Sequence, residues 1–209
     1  MVSGCSNGDK KTAVAIALAD STAGLIAWSD AVQVLVDLDE IDAAAAKGQI
    51  QLNDKIRTGV KQIREKLESG FASKEILEIA SELIDEAVKA QDNGLLGIKS
   101  DSGKTRYREI MAFSQFSLRT AHNILKEIKL PPVPDPVKVE AALQPPAARS
   151  ASRVGASNLE KWTRFLTIGQ DFAFAAIRHN RLDAIGAYAA EKDLNSKLEG
   201  LNKDRLSVL

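Results

Sequence analysis

The chain is short of the residues that build metal-holding and strongly reactive sites. Its 209 residues include one cysteine and two histidines, which excludes a zinc site assembled from several Cys and His ligands. A chain of this size buries roughly 70% of its unfolded surface, so it needs neither disulfides nor a metal to hold together. Neither sign of charge is in excess. There are 28 basic and 28 acidic residues, which argues against a general nucleic-acid binder, normally basic overall. Proline is missing from most of the chain, all six falling between Pro131 and Pro146. No stretch alternates polar and apolar residues as a half-buried strand would. Charged residues are 27% and hydrophobic residues 44% of the chain, ordinary for a folded soluble protein and too apolar for a disordered one.

What is present is helical periodicity. Proline-free segments rich in Ala, Leu, Glu, Lys and Gln favour helix. Residues 6–11 read as a polar spacer. Thr12 to Ala46 reads as one largely buried helix, apolar on a broad face. Asp20, Asp30 and Asp37 interrupt it, which argues against a membrane span, and Gly48 marks its end or a turn. Ile56, Val60, Ile63 and Leu67 form one stripe of a second helix, with Asn53 as N-cap and Gly70 just past its end. The third pattern, Ile76 to Val88, is the clearest in the chain, with Ser73 to cap it and Leu83 at its centre. It is expected to stop at the turn signal Asp92-Asn93-Gly94. A loop with three glycines then spans residues 94–103. A fourth helix carries Tyr107, Ile110, Met111, Phe116, Leu118 and Ile124.

Residues 131–156 mix Pro, Ala, Ser and Arg and read as a linker or strap. Beyond it, Ser157-Asn158-Leu159-Glu160 fits a capping box. Trp162, Phe165, Leu166, Phe172, Phe174 and Ile177 follow on one segment, then an amphipathic stretch with Leu182, Ile185, Tyr188, Leu194, Leu198 and Leu201. The expectation is an all-α fold: an up-down bundle of about four long helices, with one or two further helices after the Pro-rich linker packing back on it. The organisation is then a spacer (1–11), the bundle (12–130), the strap (131–156) and the C-terminal helices (157–209). Charge is uneven within the neutral total. Thr12–Ala46 carries six acids and no base, and Lys104–Lys129 six bases against two acids. These suit two neighbouring helices, or two independent solvated faces.

Several motifs fall short of a chemistry. Gly97 to Thr105 has the composition of a phosphate-binding loop. It has five residues between its glycines where the motif needs four, and no strand before it, so neither nucleotide nor any other cofactor is expected. Asp92-Asn93-Gly94 lacks the alternating oxygen ligands and closing Glu of a calcium loop. His122 and His179 have no convincing ligand at helical metal spacing. Glu78, Glu82, Asp85 and Glu86 lack the Glu-x-x-His of a di-metal bundle and read as a solvated face. No catalytic, cofactor-binding or metal-binding residue is assigned.

Two features remain. Val2-Ser3-Gly4-Cys5 resembles the lipobox of bacterial lipoproteins, a hydrophobic residue and two small ones before a Cys. The resemblance covers four residues. It implies cleavage before Cys5, lipid on Cys5, and residues from Ser6 onward as the polar spacer. With Ser6 rather than Asp after the Cys, it also implies the outer membrane, or otherwise the periplasmic side of the cell envelope. Such signals carry a basic start and an apolar core before the lipobox, and Met1 alone precedes Val2, so the resemblance further implies a start upstream of Met1 or a trimmed signal. The second feature is the aromatic group Trp162, Phe165, Phe172 and Phe174. It reads as packing against the bundle, or as a docking face for a partner helix or membrane surface beside Arg164, Arg178 and Arg181. The functional expectation is a non-enzymatic helical bundle, tethered through Cys5, with a structural or partner-binding role and a protein partner or self-association. The rivals are a soluble cytosolic or phage-type accessory subunit binding a protein through its C-terminal helices, and an enzyme whose site is assembled from scattered polar residues.

Overall fold

The computed structural model describes residues 7–70, 73–126 and 184–209. They form five helices: α1 (Asn7–Asp37), α2 (Ala43–Ser69), α3 (Ser73–Gly97), α4 (Asp101–Leu125) and α5 (Ala184–Val208). The fold is all-α, and α1 to α4 run up-down-up-down. The ring closes because α1 packs on both α2 and α4, while α3 packs on α2 and α4 in turn. The fifth helix lies in the groove between α1 and α2, parallel to α1. Leu194 and Leu198 of α5 belong to the same apolar cluster as Trp28, Ile56, Leu83 and Ile110. The expected C-terminal helix thus shares the core of the first 126 residues rather than forming a unit of its own.

The first two helices divide differently from the periodicity. The apolar run from Thr12 to Ala46 is broken at residues 38–42, not at Gly48, which lies inside α2. Asp39 supplies the break. It takes φ 56°, a left-handed conformation that Asp tolerates better than most residues. The Glu40 amide then bonds back to the Leu35 carbonyl at 2.7 Å. Asp42 restarts the chain as the N-cap of α2, its carboxylate accepting the Ala45 amide at 2.7 Å. Asn53, expected as that cap, is instead fully buried in mid-helix. At the other end Gly70 does close α2, with φ 83°. The helix α1 also begins earlier than expected, taking in Asn7 to Lys11 of the polar spacer.

The Asp92-Asn93-Gly94 turn does not form, and α3 runs on to Gly97. Tertiary packing overrides the local signal at Gly94, where a Cβ would overlap the ring and hydroxyl of Tyr107 from α4. Glycine is needed there for close approach, not for a turn. The connection from α3 to α4 is correspondingly short, residues 98–100. Ile98 pairs with Ile41 in an isolated antiparallel bridge, and the Lys99 amide donates to the Glu40 carbonyl at 2.8 Å. The two loops at this pole are thereby stitched together. On α3 the stripe is as read. Ile76, Ala80, Leu83 and Ala87 are buried, Glu78, Glu82 and Asp85 are exposed, and Glu86 is half-buried. Ile185 departs from its expected apolar face, since it is 78% exposed.

These packings give opposite outcomes for one kind of substitution. Gly48 sits in α2 with no atom within 4 Å of a new Cβ, so Gly48→Ala should stabilise by about 0.5–1 kcal/mol through helix propensity. Gly94→Ala should destabilise by about 1–3 kcal/mol through overpacking against Tyr107. Leu83→Ala should cost about 2–5 kcal/mol as a buried truncation. Urea unfolding followed by circular dichroism checks all three. Equal effects of the two glycine substitutions would show that α3 does not pass under Tyr107.

Candidate functional site

The sequence-derived site residues Cys5, Trp162, Phe165, Phe172 and Phe174 lie outside the described residues, as do His179 and the Pro-rich strap. The phosphate-loop look-alike is the capping structure of α4. Ser100 is the N-cap, its hydroxyl accepting the Gly103 amide at 3.0 Å, and the Glu40 carboxylate accepts the Ser100 amide at 2.9 Å. A carboxylate thus already holds an amide at the helix entrance an anion would use. His122 lies in the last turn of α4. Among the described residues, no group of three or more His, Cys, Asp and Glu is placed to hold a metal ion. Among the described residues the acids of the first apolar stretch do not pair with α4, although α1 and α4 are neighbours. Among the described residues Asp30 pairs with Arg205 of α5 instead, and Asp39 with Lys99.

The most unusual feature is a buried polar seam where α5 meets α1 and α2. Glu191, Asn195, Asn202 and Arg205 all lie on the inward face of α5. At the lower end Glu191 is fully enclosed. It accepts from the Thr22 hydroxyl at 3.1 Å and from the Asn195 amide at 2.9 Å, and it is ion-paired with Arg64 of α2. One turn up, Arg57 donates to the Asn195 side-chain carbonyl at 2.8 Å and to Asp54 at 2.6 Å. Asn195 returns a bond to the Arg57 main-chain carbonyl at 3.2 Å. Higher still, Asn202 donates to Asn53 at 2.9 Å and accepts from Ser29 at 2.8 Å. Asn53 donates onward to the Leu25 carbonyl of α1 at 2.8 Å. Arg205 closes the seam on Ser29 and Asp30.

Periodicity could not find this seam, because polar residues at helical spacing on α5 look like a solvated face. A signal did exist on the partner helix. Thr22, Ser29 and Asp30 stand within an otherwise apolar α1, and buried polar groups need partners. The seam fastens α5 to α1 and α2. Its donors and acceptors meet one another, so an ion pair or amide is satisfied at each level.

Asp20 of α1 differs. It is buried, its Oδ1 has no hydrogen-bond partner among the described residues, and burial pushes its carboxyl up to about 7. Tyr107 is also fully buried, its hydroxyl donating to the Gln49 side chain with the Ala90 carbonyl 3.1 Å away. Burial raises its phenol above the ordinary range. Two clefts of about 430 and 460 Å³ lie along the outer junction of α2 and α3. Charges of both signs line them, among them Lys55, Lys66, Glu75 and Glu82.

Removing one half of a buried pair leaves an uncompensated charge. Arg205→Met should therefore cost about 3–5 kcal/mol, while the double substitution Arg205→Met with Asp30→Leu should recover most of it. Additive losses in urea titrations would show that the pair is not coupled. For Asp20 the sign follows from its raised value. The folded state holds the proton while the unfolded chain releases it near 3.8, so stability falls as pH rises from about 4 to about 7 and then levels. Asp20→Asn should raise stability by about 2–4 kcal/mol at pH 8 and have little effect at pH 4. A pH-independent effect would place Asp20 in water.

No family model, curated protein or solved structure matches this chain.

Proposed function

We propose that this is a non-enzymatic helical-bundle protein with a structural or partner-binding role, tethered to a bacterial envelope membrane by lipid on Cys5. The observation that carries the reading is the segment Val2-Ser3-Gly4-Cys5, two residues before α1 begins at Asn7. The packing of α1 supports it. Thr12–Asp37 is long and apolar enough to cross a bilayer, yet 83% of its most apolar window is buried inside the bundle. It is the central helix of the fold, so attachment to a membrane falls to a group outside it. The described polar side chains fit a structural role. The densest cluster of them is consumed in holding α5 in place. On this reading the bundle stands close to the membrane, because the described helix starts at Asn7, two residues after Cys5 in sequence.

A second reading has one observation in its favour. Ile185, at the start of α5, is 78% exposed, a contact point for a soluble subunit that binds its protein partner through the C-terminal helices.

Intact mass of the protein from its native cells, with membrane fractionation, separates the two. Multiple acyl chains anchor far more firmly than one. Native material should carry the mass of a lipidated N-terminal Cys5 and sediment with membranes, and Cys5→Ala should move it to the soluble fraction. A free, unmodified thiol at Cys5 in native material would end the tethered reading.

A further inference from the structure

One side of α1 has no cover among the described helices. The side toward α2 is fixed by Leu25, whose carbonyl takes the Asn53 amide. The side toward α5 is fixed by Thr22 and Ser29. The side toward α4 is fixed by Gly24, whose carbonyl takes the Ser114 hydroxyl at 2.9 Å, and by Leu35 against Gly103. Asp20, Ala23, Ala27 and Val34 follow one another at helical spacing on the remaining side, turned away from α2. They form the floor of a groove walled by α4 and α5. Those two helices each pack on α1 and make at most marginal contact with each other. Even so, Ala23 is 1% exposed, Val34 5% and Ala27 6%.

We propose that this groove is the docking site of the chain's own aromatic segment, Ser157 to Arg181, laid along α1 between α4 and α5. Three observations choose this occupant. The first is topology. Residues 127–183 leave from the end of α4 and return to the start of α5, the two walls of the groove. Both ends lie at the same pole, because α4 descends to it and α5 ascends from it. A path up and back down between those two ends, side by side along the groove, would cross no other described element. The second is length. Fourteen residues separate Asp20 from Val34, about 21 Å of helix, and Leu159 to Arg178 as a helix spans about 29 Å. The groove floor is matched with a turn to spare. The third is chemistry. The floor is small and apolar, so large side chains such as Trp162, Phe165, Phe172 and Phe174 fit against it. Its one acid, Asp20, lies toward the pole where the descending segment ends in Arg178 and Arg181. The proposal does not rest on the lipid tether, and it places the aromatic group in the core and not on a free surface.

Limited trypsin digestion of the full chain tests it, read by mass spectrometry. Arg149 and Arg153, in the strap, should be cut first. Arg164 and Arg178 should be cut at least about tenfold more slowly, because docked backbone is reached only by local opening. Ala27→Arg should fill the groove floor and abolish that difference. In case Ala27→Arg fails to fold, Phe165→Ser with Phe172→Ser alters only the occupant. It should expose Arg164 and Arg178 while circular dichroism keeps the signal of α1 to α5. Gel filtration should show a monomer throughout. Equal cutting of all four arginines in the unsubstituted chain would overturn the proposal. So would protection that depends on protein concentration, with a dimer on gel filtration, which would make a second copy the occupant. Protection appearing only with anionic lipid vesicles would also overturn it, in favour of a membrane surface.

Discussion

The constraint on which the rest of the structure depends is that α1 has no face suited to water. From Val14 to Val32 its side chains are buried on every side. A helix that is apolar all round must be central, so other helices must surround it. In this chain α2, α4 and α5 cover three of its sides, and the remaining side is the groove proposed above to take the chain's own aromatic segment. The third helix is the exception that fits the rule. It carries a single apolar stripe and an acidic outer face, and it closes the ring between α2 and α4 without touching the central helix extensively.

How α5 joins that arrangement is decided by polar groups. Apolar contact alone would fix its position loosely, because Leu194 and Leu198 could slide by a turn along the groove between α1 and α2 at little cost. Buried charges remove that freedom. Glu191 must meet Arg64 and Thr22, Asn202 must meet Asn53 and Ser29, and Arg205 must meet Asp30. A slip of one turn would strand several of these at once, each at a cost comparable to a sizeable part of a domain's net stability. The seam is better understood as specifying one register than as adding stability, since buried ion pairs are often no better than well-packed apolar groups.

The two poles of the bundle differ in consequence. At one, Asp39, Glu40 and Asp42 fold the α1–α2 connection back onto Ile98, Lys99 and Ser100, so the loops brace each other. At the other lie the start of α1, the end of α4 and the start of α5. On the tethered reading proposed above, attachment falls at this end, and the braced pole faces away from it.

The sequence by itself determined the class of fold and the helices whose signal is local. The stripe of α3, the cap at Gly70 and the solvated acids Glu78, Glu82 and Asp85 were legible because helical periodicity and end-capping act within a few residues of chain. Tertiary structure decided whatever depended on residues far apart. It carried α3 through Asp92-Asn93-Gly94, because Tyr107 needed the space above Gly94. It split the first apolar run at Asp39, where two loops meet, and put Asn53 in the core, where Asn202 and Leu25 await it. It also turned Glu191, Asn195, Asn202 and Arg205 inward. Hydrophobicity along a helix reports which face avoids water only when the core is apolar. Here the partners that make those four residues buriable lie more than a hundred residues away, on α1 and α2, and only folding brings them together.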